Sequence, residues 1–356
     1  MSRSVDERVA DVRRLLAAAR AVYDERSRLA PALARSTGLT PEGVELGFES
    51  LERDASIDEL RALVASAGDA AHVHVILSSN VFVAPLRALA IARAASARVT
   101  VRPSSRDPVV ARALVAAVRD PAIVVSVDRD VTLVDADRID VYGRDETIAN
   151  VRSTARAGAI VRGHGAGLGV ALVTADDPLE ETARAVAGDV VPFDQRGCLS
   201  PRVVFVEGPL ERGATFAHAL DEALGAWSSR VGRGALTGVE EADAARWRET
   251  LAFAGRLWAG AQHAVAHAAV DGVGVAPLAI PPPGRHVLVL SVACLDEARA
   301  ALATIARFVV TVGATAPGRL ASSDGARIAP MHARLARLGA MQRPRLDGPV
   351  DRRGSV

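Results

Sequence analysis

Short strand-like and helical segments alternate along the first half of the chain, and this alternation limits the fold more than any other feature. Apolar runs rich in β-branched residues lie at 72–77, 98–101, 123–127 and 140–142. Helical segments lie between and after them, at about 84–97, 109–119 and 145–155. Parallel strands need a crossover of roughly a dozen residues, which is usually a helix. The pattern therefore predicts a doubly wound α/β sheet.

The second half of the chain repeats this mixture less regularly. Strand-like runs occur at 170–174, 203–207 and 287–292, and helical segments at 182–187, 215–227 and 296–306. A single amphipathic helix is predicted over 5–35, before the first strand. We predict N-terminal helices with a dinucleotide-binding domain over 1–165 and a catalytic domain over 166–330. Residues 331–356, rich in Pro, Gly, Asp and Arg, are predicted to form an extended tail on the surface.

Composition and charge exclude several classes of protein. The 356 residues carry a net charge of +1, so no nucleic-acid or membrane-surface partner is indicated. The apolar runs are too short for a membrane span, and the charged N-terminus is unlike a signal peptide, which predicts a cytoplasmic protein. Two cysteines do not make a disulfide framework. The chain has no lysine, so it has no Walker loop.

Two histidines have the spacing of metal ligands. His263 and His267 lie four apart on a predicted helix, but no nearby Cys, Asp or Glu completes a site. We therefore predict no metal centre.

The stretch FDQRGCLSPR holds Cys198 in a glycine-containing loop that leads into the strand VVFVE. Arg196 and Arg202 flank the cysteine, and positive neighbours lower the pKa of a thiol, as a nucleophile requires. A free cysteine is also often a small buried hydrophobe, and spacing alone leaves both interpretations open. The other cysteine, Cys294, is predicted to be buried.

The stretch GHGAGLG joins two strand-like segments. It lacks the G-x-G-x-x-G spacing of a dinucleotide-binding loop, because Leu168 stands where the last glycine is needed. A flexible hinge and a close approach of another group are both consistent with its glycines.

Taken in order, four stretches resemble acyl-CoA reductases of the LuxC type, a branch of the aldehyde dehydrogenase superfamily. They are SSNVFVAPLRALAIARAASARVTVRPSSRDP, IDVYGRDETI, RGHGAGLGVALV and FDQRGCLSPRVVFVE. The N-terminal STGLTPEGVELGFESL is also similar to that family, so the likeness runs from about residue 36 to 310. It implies an aldehyde dehydrogenase-like fold of two doubly wound α/β domains, with the active site at their interface.

The resemblance also implies an activity and a set of catalytic residues. The activity is NADPH-dependent reduction of an acyl-CoA or acyl-protein thioester to an aldehyde, through an acyl-cysteine. Cys198 is the implied nucleophile, and the side chain of Asn80 and the backbone N–H of Cys198 form the implied oxyanion hole. His164 stands where aldehyde-oxidising relatives have a water-activating glutamate. It is either a proton donor or a packed structural histidine.

The cofactor residues follow from the same resemblance. Arg102 takes the place of a lysine that binds the adenosine ribose, and Ser104 and Ser105 follow it. An arginine beside two hydroxyls favours the 2′-phosphate of NADPH over NADH. Gly143 and Thr147 are implied to lie by the pyrophosphate at a helix N-terminus.

One departure from the family pattern affects the cofactor site. The glutamate that holds the nicotinamide ribose in relatives is missing, because residues 281–283 are all proline. Two rival functions therefore stay open. One is the reduction of another activated acyl group, such as an acyl phosphate, and the other is a catalytically silent binding subunit. A homo-oligomer and a partner enzyme that transfers acyl groups are both compatible with the resemblance.

Overall fold

The computed structural model describes residues 3–52, 54–126, 130–270, 280–320 and 328–353, and the chain divides into two compact units. Unit 1 consists of Met1–Thr37, Val44–Ala166 and Arg345–Val356, and unit 2 of Gly38–Gly43 and Gly167–Pro344. Within the described ranges, no helix is long and apolar enough to cross a membrane.

The helices and strands before Gly167 are as follows, in two sets. The helices are α1 (Val5–Asp24), α2 (Arg26–Thr37), α3 (Pro41–Phe48), α4 (Ile57–Ala67), α5 (Pro85–Ala95), α6 (Val109–Val118) and α7 (Asp145–Thr154). The strands are β1 (His72–Ile76), β2 (Arg98–Arg102), β3 (Ile123–Val125), β4 (Arg138–Tyr142) and β5 (Ile160–His164). The single helix predicted over 5–35 is therefore two helices, with a break at Glu25.

Unit 1 is built on a five-stranded sheet with the order β3-β2-β1-β4-β5. All its neighbouring strands pair in parallel, which confirms the doubly wound pattern predicted from the alternation. Ile76, the last residue of β1, pairs with Arg102 of β2 on one side and with Val141 of β4 on the other. The strands thus end together, and the loops that follow them share one edge of the sheet.

The elements after Gly167 are likewise strands and helices. The strands are β6 (Leu168–Val173), β7 (Pro201–Glu207), β8 (Arg256–Ala259), β9 (Ala264–Ala269), β10 (His286–Val292), β11 (Val309–Ala314) and β12 (Arg334–Arg337). The helices are α8 (Leu179–Val190), α9 (Leu210–Ser228), α10 (Gly238–Ala254) and α11 (Leu295–Ile305).

Unit 2 is built on a seven-stranded sheet with the order β12-β11-β6-β7-β10-β9-β8. Its pairs are parallel except the edge pair β8–β9, which is antiparallel. The central strands β6, β7 and β10 are largely buried on both faces, as expected of parallel strands covered by helices on both sides.

The two histidines with metal-ligand spacing are not on a helix, so that prediction was wrong. His263 precedes β9 and His267 lies within it, because pairing with β10 overrides the helical tendency of an alanine-rich run. The His263 ring contacts the Asp221 carboxylate at 2.9 Å, and His267 Nε2 lies 2.9 Å from Ser291 Oγ. Among the described residues there is no cluster of three or more His, Cys, Asp or Glu that could hold a metal ion.

The helix α9 packs closely over the His267–Ser291 pair. A Cβ added at Gly213 of α9 would lie 1.9 Å from Ser291 Oγ and 2.7 Å from His267 Nε2. Only glycine fits at this helix position without displacing the side chains of Ser291 and His267.

The C-terminal segment differs from the predicted extended surface tail. Residues 334–337 form β12, and Ala333, Met341 and Leu346 are buried. The backbone N–H of Leu346 donates to the Glu59 carboxylate, and Arg87 donates to the carbonyls of Arg345 and Gly348. The polar composition favoured an extended surface segment, but a few buried apolar side chains and backbone hydrogen bonds hold it against the rest of the protein.

A buried carboxylate holds the turn after β12. Asp189 of α8 accepts the N–H of Gly339 at 2.7 Å and that of Met341 at 2.9 Å. Burial raises the pKa of Asp189 to about 7, and the hydrogen bonds from the backbone oppose that rise only in part.

Candidate functional site

A left-handed turn precedes the candidate nucleophile in unit 2. Phe193, Asp194 and Gln195 have φ angles of 57°, 49° and 64°, and none of them is glycine. Each left-handed residue with a side chain costs about 1–2 kcal/mol. Three in succession therefore require strong local contacts, and the side chains of all three are buried.

Asp194 is held by a buried ion pair. Its Oδ1 accepts from Arg285 Nη2 at 2.8 Å and Nε at 3.1 Å, and its Oδ2 accepts the N–H of Gly234 at 2.9 Å. The Asp194 carbonyl accepts the N–H of Gly284 at 3.0 Å. Arg285 is itself fully buried and left-handed, with φ 65°. The turn is therefore tied to the segment that leads into β10.

Gln195 makes three further hydrogen bonds. Its Nε2 donates to the carbonyls of Pro201 at 2.9 Å and His286 at 2.7 Å, and its Oε1 accepts the N–H of His286 at 2.9 Å. Pro201 begins β7 and His286 begins β10. One amide side chain thus fixes both ends of the loop 196–200 against the sheet of unit 2.

Cys198 lies in this loop and is partly exposed. Gly169, the last glycine of GHGAGLG, supports the loop, because its N–H donates to the Ser200 carbonyl at 2.9 Å. A Cβ at Gly169 would lie 2.4 Å from the Leu199 carbonyl oxygen. The stretch joins strand β5 to strand β6, as predicted, and at Gly169 the close-approach interpretation holds. Cys294 is exposed, so its predicted burial was wrong; it is the N-cap residue of α11.

The two arginines that flank Cys198 have different surroundings. Arg196 donates to Glu240 from Nε at 3.0 Å and from Nη2 at 3.2 Å, and its Nη1 lies 3.7 Å from Asp194. Its charge is therefore balanced by carboxylates. Arg202 forms no ion pair with any carboxylate in the described part of the chain.

The predicted cofactor residues of unit 1 come together at the carboxyl edge of its sheet. Arg102 ends β2, and Ser104 and Ser105 follow it in the next loop. Gly143 follows β4, and its N–H donates to the His164 carbonyl at 3.2 Å. Since β1 separates β2 from β4 and the crossovers reverse there, this edge has the topology at which doubly wound sheets bind ligands.

Asn80 lies at the same edge, in the turn that follows β1. Its side chain is exposed and makes no hydrogen bond to any residue in the described part of the chain. It is therefore available to donate to a ligand.

The helix N-terminus at this edge is less suited to a dianion than the sequence predicted. Thr147 lies in the first turn of α7, but the same turn begins with Asp145 and Glu146. Two carboxylates already complement the helix dipole there and repel a second anion. The N-terminus of α7 therefore offers less positive potential to an anion than an uncharged first turn would.

His164 is a partly buried histidine in unit 1. Its ring stacks on Tyr142, with centroids 4.4 Å apart and planes 14° from parallel. Burial lowers its pKa, and the nearby carboxylates of Asp140 and Asp351 oppose that shift. Its Nδ1 is buried and finds no hydrogen-bond partner among the residues that the structure describes. These surroundings favour the packed structural histidine over the proton donor.

Sequence reasoning missed the residues that hold the nucleophile loop. Asp194 and Gln195 lie in the quoted motif but were given no role, and Arg285 was not considered. The sequence contained one signal of this role: Asp194 and Gln195, a charged and an amide residue, stand directly before the cysteine loop in an otherwise apolar stretch. Their left-handed backbone conformation could not be predicted from the residue types, because none of the residues is glycine.

Comparison with solved structures defines the fold. The chain is similar to a γ-glutamyl-γ-aminobutyraldehyde dehydrogenase from Burkholderia cenocepacia, with 15% identity over 92% of this chain and 76% of that chain and a TM-score of 0.68. It is also similar to a NAD-dependent benzaldehyde dehydrogenase from Corynebacterium glutamicum (17% identity, 95% and 82% covered, TM-score 0.67). An oxidoreductase from Marinobacter aquaeolei gives 11% identity, 99% and 84% covered, and a TM-score of 0.70. The protein has the aldehyde dehydrogenase-like fold, as predicted.

The family can be stated more narrowly. The family model described as acyl-CoA reductase (LuxC) matches residues 49–269, more than half of the chain. The protein belongs to the acyl-CoA reductase (LuxC) family, which confirms the resemblance found in the sequence and makes it an aldehyde-related oxidoreductase. A search of the curated proteins finds none that matches.

Proposed function

We propose that this protein reduces an acyl thioester, carried by CoA or by a protein, to an aldehyde with NADPH, and that Cys198 carries the acyl group. Membership of the acyl-CoA reductase family supports the reaction class. The observation that carries the assignment of the nucleophile is the position of Cys198: a partly exposed thiol in a loop that buried side chains hold at both ends.

The proposed reaction begins with attack of the Cys198 thiolate on the thioester carbonyl carbon. A carbon–sulfur bond forms, and the resulting oxyanion accepts hydrogen bonds from the Asn80 amide and the N–H of Cys198. The bond to the original thiol then breaks, the leaving thiolate takes a proton from water, and an acyl-cysteine remains. Bound NADPH would supply the hydride that reduces this acyl group, and release of the aldehyde returns the thiolate of Cys198.

The donor set at the edge of unit 1 fits a phosphorylated nicotinamide cofactor. Arg102 would contact the 2′-phosphate, with the hydroxyls of Ser104 and Ser105 beside it. Gly143 and Thr147 would lie by the pyrophosphate, where their contribution is an N–H and a hydroxyl rather than net charge. The proposal assigns no proton transfer to His164, because a partly buried imidazole with a lowered pKa is a poor source of protons near pH 7.

Acylation without cofactor tests the nucleophile. Incubation with an acyl-CoA in the absence of NADPH should add one acyl mass to the wild type and to Cys294→Ala, and none to Cys198→Ala. Cys294 is the right control because it is exposed and able to react nonspecifically. An adduct that persists in Cys198→Ala and is absent from Cys294→Ala would refute the assignment.

Cofactor preference tests the role of Arg102. A charge-assisted hydrogen bond contributes about 1.5–3 kcal/mol, so Arg102→Ala should raise the KM for NADPH roughly 10–100-fold and change that for NADH little. Arg98→Ala is a matched control, since Arg98 lies at the opposite end of the same strand. Equal losses with NADPH and NADH in Arg102→Ala would show that Arg102 does not read the 2′-phosphate.

A further inference from the structure

Arg202 is a cation close to the candidate nucleophile Cys198. It is the second residue of β7, four positions after Cys198. Its Nη1 donates to the Pro281 carbonyl at 3.4 Å, and its Nε is buried without a hydrogen-bond partner. Within the described ranges of the chain, no carboxylate forms an ion pair with Arg202.

Arg202 is partly buried, and a guanidinium whose Nε is shielded from water is costly without an anion nearby. Burial lowers the pKa of Arg202 to about 10, and attraction to the thiolate of Cys198 acts in the opposite direction. Removing charge from water is unfavourable unless a nearby group of opposite charge compensates. The anion that fits this position is therefore the sulfur of Cys198 itself.

Two other arginines around the loop, Arg196 and Arg285, are already compensated by carboxylates. Glu240 pairs with Arg196, and Asp194 pairs with Arg285. His286, which begins β10, is held neutral near pH 7 because burial lowers its pKa to about 4. None of these groups supplies net positive charge to the thiol.

We propose that Arg202 is the counter-ion that keeps Cys198 ionised, and so is a further catalytic residue of the reaction proposed above, on which this inference rests. Cys198 loses its proton to solvent, and the negative charge stays on sulfur beside the guanidinium. The charge leaves the sulfur when the bond to the acyl carbon forms. Arg196, although closer in sequence, does not act on the thiol in this way.

The ionisation of Cys198 can be measured without substrate or cofactor. The rate of alkylation by iodoacetamide is followed against pH in a Cys294→Ala background, where Cys198 is the only thiol. An opposite charge nearby shifts a pKa by about 1–3 units. Arg202→Gln should therefore raise the midpoint of the profile by at least about one unit. The rate at pH 7 should fall roughly tenfold or more, and the rate at high pH should stay unchanged.

Two further variants make the result specific. Arg202→Lys keeps the positive charge and should restore the midpoint at least in part. Arg196→Gln, the matched control on the other side of Cys198, should leave the midpoint in place. Tryptophan fluorescence checks that each variant is folded, because all three tryptophans lie in unit 2.

The inference is overturned if folded Arg202→Gln and Arg202→Lys both keep the wild-type midpoint, or if Arg196→Gln shifts it as much as Arg202→Gln does. Failure of the proposed function gives a different result. In that case acyl-CoA leaves no adduct on Cys198, while the alkylation midpoint still depends on Arg202.

Discussion

Replacing Gln195 by glycine sets backbone strain against hydrogen bonding in the turn before Cys198. Glycine adopts the left-handed conformation freely, so the substitution removes strain of about 1–2 kcal/mol. The greater freedom of glycine in the unfolded chain offsets about 0.4–1 kcal/mol of this gain. Strain alone therefore predicts that Gln195→Gly is slightly stabilising.

The hydrogen bonds reverse the sign. Gln195 makes three, to Pro201 and to both backbone groups of His286, and each is worth about 0.5–1.5 kcal/mol. The N–H of His286 would also be left buried and without a partner. The net loss should be about 2–3 kcal/mol, which corresponds to a fall in Tm of about 5–10 °C.

The assay is thermal unfolding followed by tryptophan fluorescence, since the three tryptophans report on unit 2. Arg119→Gly is the matched control, measured by calorimetry. Arg119 caps α6 with φ 50°, and its side chain is exposed and makes no hydrogen bond within the described ranges. Its replacement removes strain alone and should stabilise by about 0.5–1 kcal/mol. The reasoning is refuted if Gln195→Gly stabilises the protein as Arg119→Gly does.

Three other changes test unit 2. Folding raises the pKa of Asp189 to about 7, so the protonated carboxyl favours the folded state below about pH 4, and this contribution is lost as the pH rises to about 7. The free energy of unfolding of the wild type should therefore fall between about pH 4 and pH 7, and that of Asp189→Asn should fall less steeply. Gly213→Ala places a Cβ against Ser291 and should lower the free energy of unfolding, measured with denaturant, by about 1–3 kcal/mol. The control Gly188→Ala adds a Cβ in open space on α8 and should raise it by about 0.5–1 kcal/mol. Arg285→Met removes the two shortest cationic contacts of the buried Asp194 carboxylate and leaves it the longer one to Arg196 Nη1 at 3.7 Å, so it should cost about 3 kcal/mol in the same measurement. A cost below about 1 kcal/mol would contradict a structural role for the pair.

The sheet of unit 1 could be predicted from the sequence because its information is local. Strand-forming runs and helical segments follow one another at short spacing, and parallel pairing follows from that order. The cofactor residues, such as Arg102 and Gly143, were found because they come directly after strands whose ends the topology aligns. Their roles remain predictions, as do those of Cys198 and Asn80.

The support of the nucleophile loop could not be predicted, because it depends on distant partners. Asp194 and Arg285 are 91 positions apart, and nothing in their local sequence shows that they pair. The strand at His267 was missed for a similar reason: an alanine-rich run favours helix locally, and only its pairing with β10 makes it a strand. The exposure of Cys294 likewise follows from its place at the start of α11 rather than from residue type.

The path of the chain has a consequence for how the protein folds during synthesis. Unit 1 is completed by Arg345–Val356, where Leu346 is buried and its N–H binds Glu59. All of Gly167–Pro344 must leave the ribosome first, which at about 5–20 residues per second takes on the order of 10 s. The first unit to be translated is therefore the last to be completed. A chain that stops before Arg345 would leave the Leu346 site of unit 1 open to solvent and the Glu59 carboxylate without its backbone partner.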